Sequence, residues 1–383
     1  MTPPITIRSN GGRTMHKSMK TAIAGAALAT LALAGCSSSS GAAAPSASAA
    51  GEDLVVEGQI IASGDVYAAA QEEEPIVFYT GGSEVSEQQA AEAFTEATGL
   101  QVEIVRLAPN KLNERILAEQ SAGQLAADVI RISGEDLIAG IAEAGTFQAA
   151  ELTDDIAGGL IPEATYEDGL YFSSFDRVYS FGYNNQVIDE ADAPQDWEDL
   201  LDPQWAGQVG IVQVGAGGST AALTRFQLDR LGEEWLREFA ANDPRIFDSS
   251  AALTDALARG EITVGPMPIA TAYSATLDGA PITIATPEEG AAAYPFYLGQ
   301  TESAGSPNSA SIFVNWLLST QGQTLAAQLG DYPVLEGAPD PTIGDVQLPP
   351  ADSDFVFRST LEESLDNLES DAELWTEIFG YTG

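Results

Sequence analysis

The chain has 383 residues, and its 57 acidic residues outnumber its 15 basic ones, which gives a formal net charge of −42. A surface of this sign repels nucleic acid and anionic lipid, so neither is an expected partner. The only histidine, His16, and the only cysteine, Cys36, lie near the amino terminus, and Lys111 is the only lysine beyond Lys20. Ser-His-Asp triads, Cys-His pairs and zinc sites of His and Cys are therefore excluded beyond residue 36. A glycosidase needs only two carboxylates, which 57 acidic residues do not exclude, but no aromatic-flanked acid pair stands out, and we expect no enzyme and no cofactor.

Residues 1–35 have the pattern of a secretory signal. Four basic residues precede an apolar run from Thr21 to Leu33, and small residues lead into Cys36. The run is shorter than the roughly 20 residues that a membrane-spanning helix needs, which disfavours the alternative of a transmembrane anchor. The tetrapeptide Leu-Ala-Gly-Cys resembles the bacterial lipobox, in which the cysteine is acylated, and Cys36 has no disulfide partner. The sequence leaves three candidate start residues, Met1, Met15 and Met19.

Residues 36–74 are expected to form a lipidated, flexible and acidic tether, with one short strand near residues 54–61. Residues 37–50 consist of Ser, Ala, Gly and Pro, which bury too little apolar surface to fold. Removal of residues 1–35 leaves 11 basic against 57 acidic residues, a net charge of −46. This excess indicates either adaptation to a salty habitat or a preference for cations near a binding site.

From residue 75 the pattern alternates between apolar strands and amphipathic helices. This alternation predicts the α/β class, with a parallel sheet covered by helices on both faces. About 300 residues exceed what one hydrophobic core usually supports, so two lobes are expected. The predicted strand and helix pairs are 75–79 with 88–98, 102–107 with 112–121, and 127–132 with 137–144.

After residue 171 the predicted elements follow a less regular rhythm. The strand at 210–214 runs into a glycine-rich turn that ends at Thr220, and a helix follows. The other strands are expected at 177–184 and 262–267. The helices are expected at 196–201, 221–231, 251–258, 310–319, 323–329 and 359–379.

Several stretches resemble the ferric-iron-type family of periplasmic binding proteins. IVFYTGGSEVSEQQAAEAFTEATGLQVEI is similar to that family's first strand, loop and helix, and LAADVIRISGEDLIAGIAEAGTF to its second such unit. The most specific piece is APQDWEDLLDPQWAGQVGIVQVGAGGSTAAL, and ALARGEITVG and NWLLSTQGQTLAAQLGDYPV complete the pattern. The resemblance covers residues 75–334. It implies a two-lobed fold with discontinuous lobes, a hinge, and ligand in the cleft between the lobes.

The same resemblance implies the course of the chain through the two lobes. The first lobe is expected to contain residues 75–176 plus about 281–322. The second lobe is expected to contain residues 177–280 plus about 323–383.

Family members that bind iron hold it with a histidine, a glutamate and a pair of tyrosines. Carried over position by position, these places fall on Ser83, Ser133, Ala270 and Thr271, with Tyr273 two residues beyond. A slip of one or two residues restores one tyrosine but not two adjacent ones. Fe(III) prefers phenolate and carboxylate oxygens, so the family's usual metal site is not expected.

Two other parts of the family's cleft are present in this sequence. Gly217, Gly218, Ser219 and Thr220 lie where iron binders hold a companion anion, and free N–H groups at a helix start favour an anion. An ordinary helix cap is the alternative. Arg177 matches an arginine that contacts the anion in some relatives, and a surface salt bridge is its alternative.

The loop after the first strand is the remaining candidate. Strand carboxyl ends are where such sheets bind ligands, although this loop is also consistent with a plain turn. The full expected ligand set combines this loop with the positions above: Thr80, Gly81, Gly82, Ser83, Ser133, Arg177, Gly217, Gly218, Ser219, Thr220, Thr271 and Tyr273.

The resemblance implies the substrate-binding lipoprotein of an ABC importer. Such a protein is exported, held on the outer face of the cell membrane through Cys36, monomeric, and served by a permease and an ATPase. The expected ligand is a small organic or phosphorylated anion, and ferric iron or a ferric chelate is the alternative. A non-transport adhesin or envelope sensor with the same fold is the second alternative.

Overall fold

The structure, a computed structural model, describes residues 51–344 and 346–381. The predicted signal, the predicted lipidation site Cys36 and residues 37–50 lie outside the described residues. The described strands are β1 Leu54–Val56, β2 Gln59–Ala62, β3 Ile76–Thr80, β4 Val102–Arg106, β5 Val129–Ser133, β6 Phe147–Gln148, β7 Thr165–Tyr166, β8 Tyr171–Asn184, β9 Gly210–Val212, β10 Arg245–Phe247, β11 Val264–Pro268, β12 Ile282–Ile284, β13 Ala291–Thr301, β14 Thr342–Ile343, β15 Val346–Gln347 and β16 Val356–Phe357. The described α-helices are α1 Gly64–Ala70, α2 Glu84–Thr98, α3 Pro109–Ser121, α4 Glu135–Glu143, α5 Asp154–Ala157, α6 Gly218–Phe226, α7 Glu233–Ala241, α8 Ser250–Ala258, α9 Ile269–Leu277, α10 Pro307–Leu317, α11 Thr320–Gln328 and α12 Leu361–Phe379.

A ten-stranded sheet organises the molecule, with the main order β11-β8-β13-β5-β3-β4. Strands β3, β4 and β5 are parallel to one another, as the strand and helix alternation predicts. Strand β8 is antiparallel to both β11 and β13. The parallel pair β9 and β10 lies beside β11 through a bridge between Val209 and Val264.

Strands β8 and β13, called the crossing strands below, run through two separate hydrophobic cores. Phe172 and Leu298 pack into a first core with side chains of α2 and α10. Tyr179 and Tyr294 pack into a second core with side chains of α6, α7 and α12. The cores define a first and a second lobe, so the two-lobed α/β fold is confirmed.

Local sequence explains where the principal helices begin and end. Helix α2 ends at Gly99, whose left-handed backbone (φ 79°) is readily adopted by glycine. Helix α12 begins with a capping box, in which Thr360 and Glu363 satisfy each other's backbone N–H groups. Helix α12 then packs on α6 and α7 of the second lobe and also contacts α4 of the first lobe.

Residues 54–70, expected to belong to a flexible tether, are folded in the structure. Strands β1 and β2 and helix α1 fold there, and Leu54, Ile61 and Tyr67 are buried in the first core. Helix α1 and strand β2 pack against α10. Residues 54–70 therefore contribute side chains to the first core and are not a flexible tether.

The strand pairing does not follow the lobe limits expected from the sequence. Strand β12 pairs with Gly182–Asn184 of β8, so the chain at residue 282 is still beside second-lobe strands. It returns to the first lobe along β13. Val334, after α11, belongs to the first core. Beside it, Leu335 forms a backbone bridge with Leu160, and Tyr332 forms one with Asp176.

Among residues 51–344 and 346–381, none of the helices combines the length and the apolar character needed to cross a bilayer.

Candidate ligand-binding cleft

Loops from both lobes meet at the carboxyl ends of their strands. In the first lobe, β3 ends at Thr80 before α2, and β5 ends at Ser133 before α4. In the second lobe, the chain leaves β9 and enters α6 at Gly218. The sequence predicted these loops as the ligand site, and the structure brings the loop after Ser133 and the Gly217–Thr220 turn together.

The two lobes are in direct contact at two glycines. A Cβ atom on Gly218 would overlap the backbone N and Cα atoms of Gly134, so only a hydrogen atom fits there. Beside this contact, Asn110 Nδ2 of the first lobe donates a 2.8 Å hydrogen bond to the Gly215 carbonyl of the second. Pro109 lies against both Gly81 and Gly217. The described conformation is therefore closed at this point.

The start of α6 offers unused donors. The N–H groups of Thr220 and Ala221 bond to the Gly217 carbonyl, whereas those of Gly218 and Ser219 meet no acceptor among the described residues. The Thr220 hydroxyl donates to the carbonyls of Val214 and Gly217, each at 2.7 Å, so it serves the turn. Two backbone donors and the positive end of a nine-residue helix remain for an anion.

The Thr80–Ser83 loop is held mainly by its own hydrogen bonds. Thr80 Oγ1 accepts from the Gly82 N–H and donates to Glu87 Oε1, both at 2.9 Å. The Gly81 N–H donates to the Arg131 carbonyl. Ser83 occupies the N-cap position of α2 without a side-chain capping bond. Its hydroxyl forms no hydrogen bond among the described residues and is the proposed ligand contact of this loop.

Arg177 lies on β8, and its guanidinium is almost completely buried. Its Nε and Nη2 atoms donate to the two carboxylate oxygens of Asp331, each at 2.6 Å. Its Nη1 atom donates to no acceptor among the described residues. Tyr294, directly across on β13, has its pKa raised by burial, while Arg177 and the nearby Ser219 hydroxyl oppose the shift. Arg177 and Ser219 therefore share one neighbour, Tyr294.

A second buried ion pair lies next to the first. Arg131 pairs with Glu87 and donates to Ser174 Oγ at 3.2 Å. The guanidinium carbons of Arg131 and Arg177 lie 5.1 Å and 5.3 Å from the ring centroid of Phe175. Phe175 thus stands beside two cations at the point where β8 passes between the lobes, and each cation has its own carboxylate.

Glu135 is a buried carboxyl group at the start of α4. Burial raises its pKa to about 7, and repulsion from Asp136 and Asp176 adds to the shift, while its own backbone N–H opposes it. It lines a small interlobe cavity together with Arg225 and Asp371, which form a salt bridge of 3.0 Å.

The two sides of the cleft differ in charge. The first turn of α2 carries Glu84 and Glu87, and the first turn of α4 carries Glu135 and Asp136. The first turn of α6 carries no acidic residue. An anionic group is therefore favoured at α6. On the first-lobe side Glu87 is paired with Arg131 and Glu135 is buried, so the exposed carboxylates of Glu84 and Asp136 are the ones that favour a cationic group.

The remaining predicted positions are less closely associated. Ser133 is buried at the end of β5. Thr271 and Tyr273 lie half-buried on α9, and no hydrogen bond or ion pair in the described part of the chain joins them to the other predicted residues. Among the same residues, no group of three or more His, Cys, Asp or Glu side chains is placed to hold a metal ion.

The sequence analysis did not identify four buried residues that form the ion pairs and the tyrosine contact next to the cleft loops. They are Glu87, Arg131, Tyr294 and Asp331. Arg131 did carry a signal, because a charged residue inside an apolar strand is rarely buried without a partner. The sequence around Asp331 carried no local signal that would identify it as a buried ion-pair partner.

A two-lobed α/β fold with loops from both lobes converging on one cleft is typical of solute-binding proteins. The model of the family described as bacterial extracellular solute-binding protein matches residues 126–355, more than half of the chain, and the protein belongs to this family. A periplasmic protein of Salmonella typhimurium provisionally described as binding 2-aminoethylphosphonate is 27% identical over 248 residues, 62% of this chain and 70% of the relative.

Solved structures show the same fold. Iron-bound HitA from Pseudomonas aeruginosa has a TM-score of 0.63 at 22% identity, covering 79% of this chain and 99% of that one. AfuA from Actinobacillus pleuropneumoniae, with fructose-6-phosphate bound, has a TM-score of 0.64 at 20% identity, covering 80% and 99%. The resemblance to ferric-iron-type periplasmic binding proteins is thus confirmed, and members of this family are binding proteins.

Proposed function

We propose that the protein is the substrate-binding lipoprotein of an ABC importer and that its cargo is a small organic anion bearing a phosphonate or phosphate group. The observation that carries this proposal is the start of α6. There the N–H groups of Gly218 and Ser219 are free of acceptors within the described chain, and no carboxylate competes in the first turn. Doubly charged oxyanions suit such a helix start. The free Nη1 atom of Arg177 is the proposed second contact.

The opposite side of the cleft favours an amino group on the same ligand. Glu84 and Asp136 are exposed carboxylates in the first turns of α2 and α4. A zwitterion with an ammonium group toward the first lobe and a phosphonate toward the second matches this division of charge. The Salmonella relative described as binding 2-aminoethylphosphonate and the sugar-phosphate complex of AfuA both support an anion of this class.

The delivery part of the proposal rests on the family and on the amino-terminal sequence. Cys36 is proposed as the lipid anchor, with an ABC permease and its ATPase as partners of a monomer. The lobe limits are also a proposal: the first lobe begins near residue 54, and the chain recrosses within β13 rather than near residue 281.

Ferric iron is the second candidate function. The likeness to iron-bound HitA favours it as a fold analogy. Against it, the family's iron-ligand places are occupied by Ser83, Ser133, Ala270 and Thr271. These residues supply no carboxylate or phenolate oxygen to the metal.

Isothermal titration with three matched ligands tests the cargo class. We expect 2-aminoethylphosphonate to bind, ethylphosphonate to bind at least about tenfold more weakly, a difference of about 1.4 kcal/mol, and ethanolamine not to bind. Ser219→Asp places a carboxylate at the anion position and is expected to abolish binding of both phosphonates. Ser370→Asp, the same change on the exposed face of α12, is the control. Tight binding of Fe(III) or ferric citrate without phosphonate binding would establish the iron function instead.

A further inference from the structure

A cavity of about 830 Å³ lies on the face of the crossing strands opposite Arg177. Asp176 and Pro295, which are cross-strand neighbours, line it. Successive side chains of a strand point to opposite faces, so Arg177 and Tyr294 face away from this cavity. None of the residues expected to hold the cargo lines it.

The walls of this cavity, called the rear cavity below, are largely apolar. They include Ile161, Leu335 and Leu361, and the rim between residues 333 and 341 carries three prolines. Tyr166 presents a ring that is itself stacked on Tyr171, with centroids 5.2 Å apart. A volume in this range is typical of sites for small organic molecules, which occupy about 300–1,000 Å³.

The charges that line the rear cavity are predominantly negative. Asp176, at 8% exposure, accepts a 2.7 Å hydrogen bond from Arg358 Nε, so the single lining guanidinium is already neutralised. Glu163, Asp340 and Asp352 also line it and form no salt bridge within the described residues. Asp340 accepts only a 3.2 Å bond from the Gln347 side-chain amide. Three carboxylates therefore line the cavity without a salt bridge among the described residues. Arg358, which donates to Asp176 and to the Ala351 carbonyl, is the one cation of the described residues that lines it.

We propose that the rear cavity is a second ligand site that takes a small organic cation with an apolar body. The apolar walls and the Tyr166 ring accommodate the body, and the carboxylates of Asp340 and Asp352 attract the ammonium group. An anion of the same shape is repelled, and a neutral isostere gains only the contacts of its apolar body. The site is distinct from the proposed cargo cleft and does not depend on the identity of the cargo.

Isothermal titration and thermal unfolding with the full extracytoplasmic chain test this proposal. The probes are 2-phenylethylamine, which is an ammonium ion at pH 7, its neutral isostere 2-phenylethanol, and the anion 3-phenylpropionate. We expect binding and a raised Tm with the amine, and at least about tenfold weaker binding of the alcohol and the acid.

Two kinds of variant locate the binding. Asp340→Asn with Asp352→Asn is expected to weaken amine binding about three- to thirtyfold, as for two partly exposed charge pairs. Asp366→Asn with Glu369→Gln, an equal charge change on the exposed face of α12, is expected to leave it unchanged. Ala338→Trp fills the rear cavity and is expected to abolish binding, whereas Ser219→Asp in the cargo cleft is expected to have no effect.

Three results would overturn the proposal. The first is equal affinity for the amine and the alcohol, because charge would then play no part. The second is amine binding that survives Ala338→Trp or is lost in Ser219→Asp, because the amine would then bind elsewhere. The third is the absence of both heat and a Tm shift at millimolar amine.

Discussion

Arg177 and Asp331 are 154 residues apart in the sequence, and two hydrogen bonds of 2.6 Å join their side chains in the interior. The two side chains are 3% and 1% exposed. The pair links the segment that follows α11 to the middle of β8. A bidentate pair of this kind holds the guanidinium in one orientation and leaves its Nη1 atom for the proposed ligand.

The first prediction concerns this pair. Asp331→Asn leaves the Arg177 cation buried without its counter-charge, and we expect the free energy of unfolding to fall by about 3–5 kcal/mol. The double variant Arg177→Met with Asp331→Leu removes both charges and is expected to recover most of the loss. Urea unfolding at pH 7 measures both. Equal stability of Asp331→Asn and the wild type would show that the pair does not form.

The second prediction concerns closure. A Cβ atom on Gly218 cannot approach Gly134, so Gly218→Ala is expected to favour an open cleft. Overlap in a packed site costs about 1–3 kcal/mol, which corresponds to about 5- to 150-fold lower cargo affinity. Small-angle X-ray scattering should show a larger radius of gyration with ligand present than in the wild type. Gly140→Ala, in α4 where a Cβ meets nothing within 4 Å, is the control, and equal behaviour of the two variants would contradict the prediction.

The third prediction concerns pH. Burial raises the pKa of Glu135 to about 7, so the folded protein binds a proton there that the unfolded chain releases at lower pH. This group therefore contributes stability below about pH 4.5 that is lost as the pH rises through 7, a loss on the order of 3 kcal/mol. Glu135→Gln is expected to be more stable than the wild type at pH 8 and nearly equal to it at pH 4.5.

Glu96→Gln, on the exposed face of α2, controls for the loss of one negative charge. The measurement is the free energy of unfolding of the three proteins at both pH values. A stabilisation by Glu135→Gln that is the same at pH 4.5 and pH 8 would contradict the ionisation of this group and would indicate a packing effect.

The fourth prediction concerns anchoring. Cys36→Ala removes the proposed acylation site, and the protein is expected to appear in the soluble extracytoplasmic fraction instead of the membrane fraction. Immunoblotting of fractions washed with salt but without detergent measures the distribution. Retention of the variant in the membrane fraction after this wash would rule out lipid as the anchor.

The regular first half of the fold could be predicted from local patterning. Strands β3, β4 and β5 and the helices between them follow the alternation of apolar strands and amphipathic helices closely. Strand β13 was missed, because its residues are buried on both faces and show no alternation. Its pairing with β8 and β5, at the centre of the sheet, depends on segments far away in the sequence.

The candidate site shows the same limit. The Gly217–Thr220 turn was found because glycines and hydroxyl residues before a helix are a local signal. The helix in fact begins at Gly218, so Ser219 and Thr220 lie inside its first turn. The environment of Arg177 was not predictable, because its partner Asp331 comes from a segment with no local mark of charge pairing.

All fourteen residues of β8 are buried. Its pairing with β13 shifts register between Phe296 and Tyr297, where the crossing strands pass from one lobe to the other. We expect opening to bend the crossing strands at this irregularity and to break the contacts at the rim, where Gly134 meets Gly218 and Asn110 meets the Gly215 carbonyl. The apparent dissociation constant equals the intrinsic one divided by the population of the competent conformation. Selection can therefore adjust the affinity of this solute-binding protein through rim residues while every proposed ligand contact stays the same.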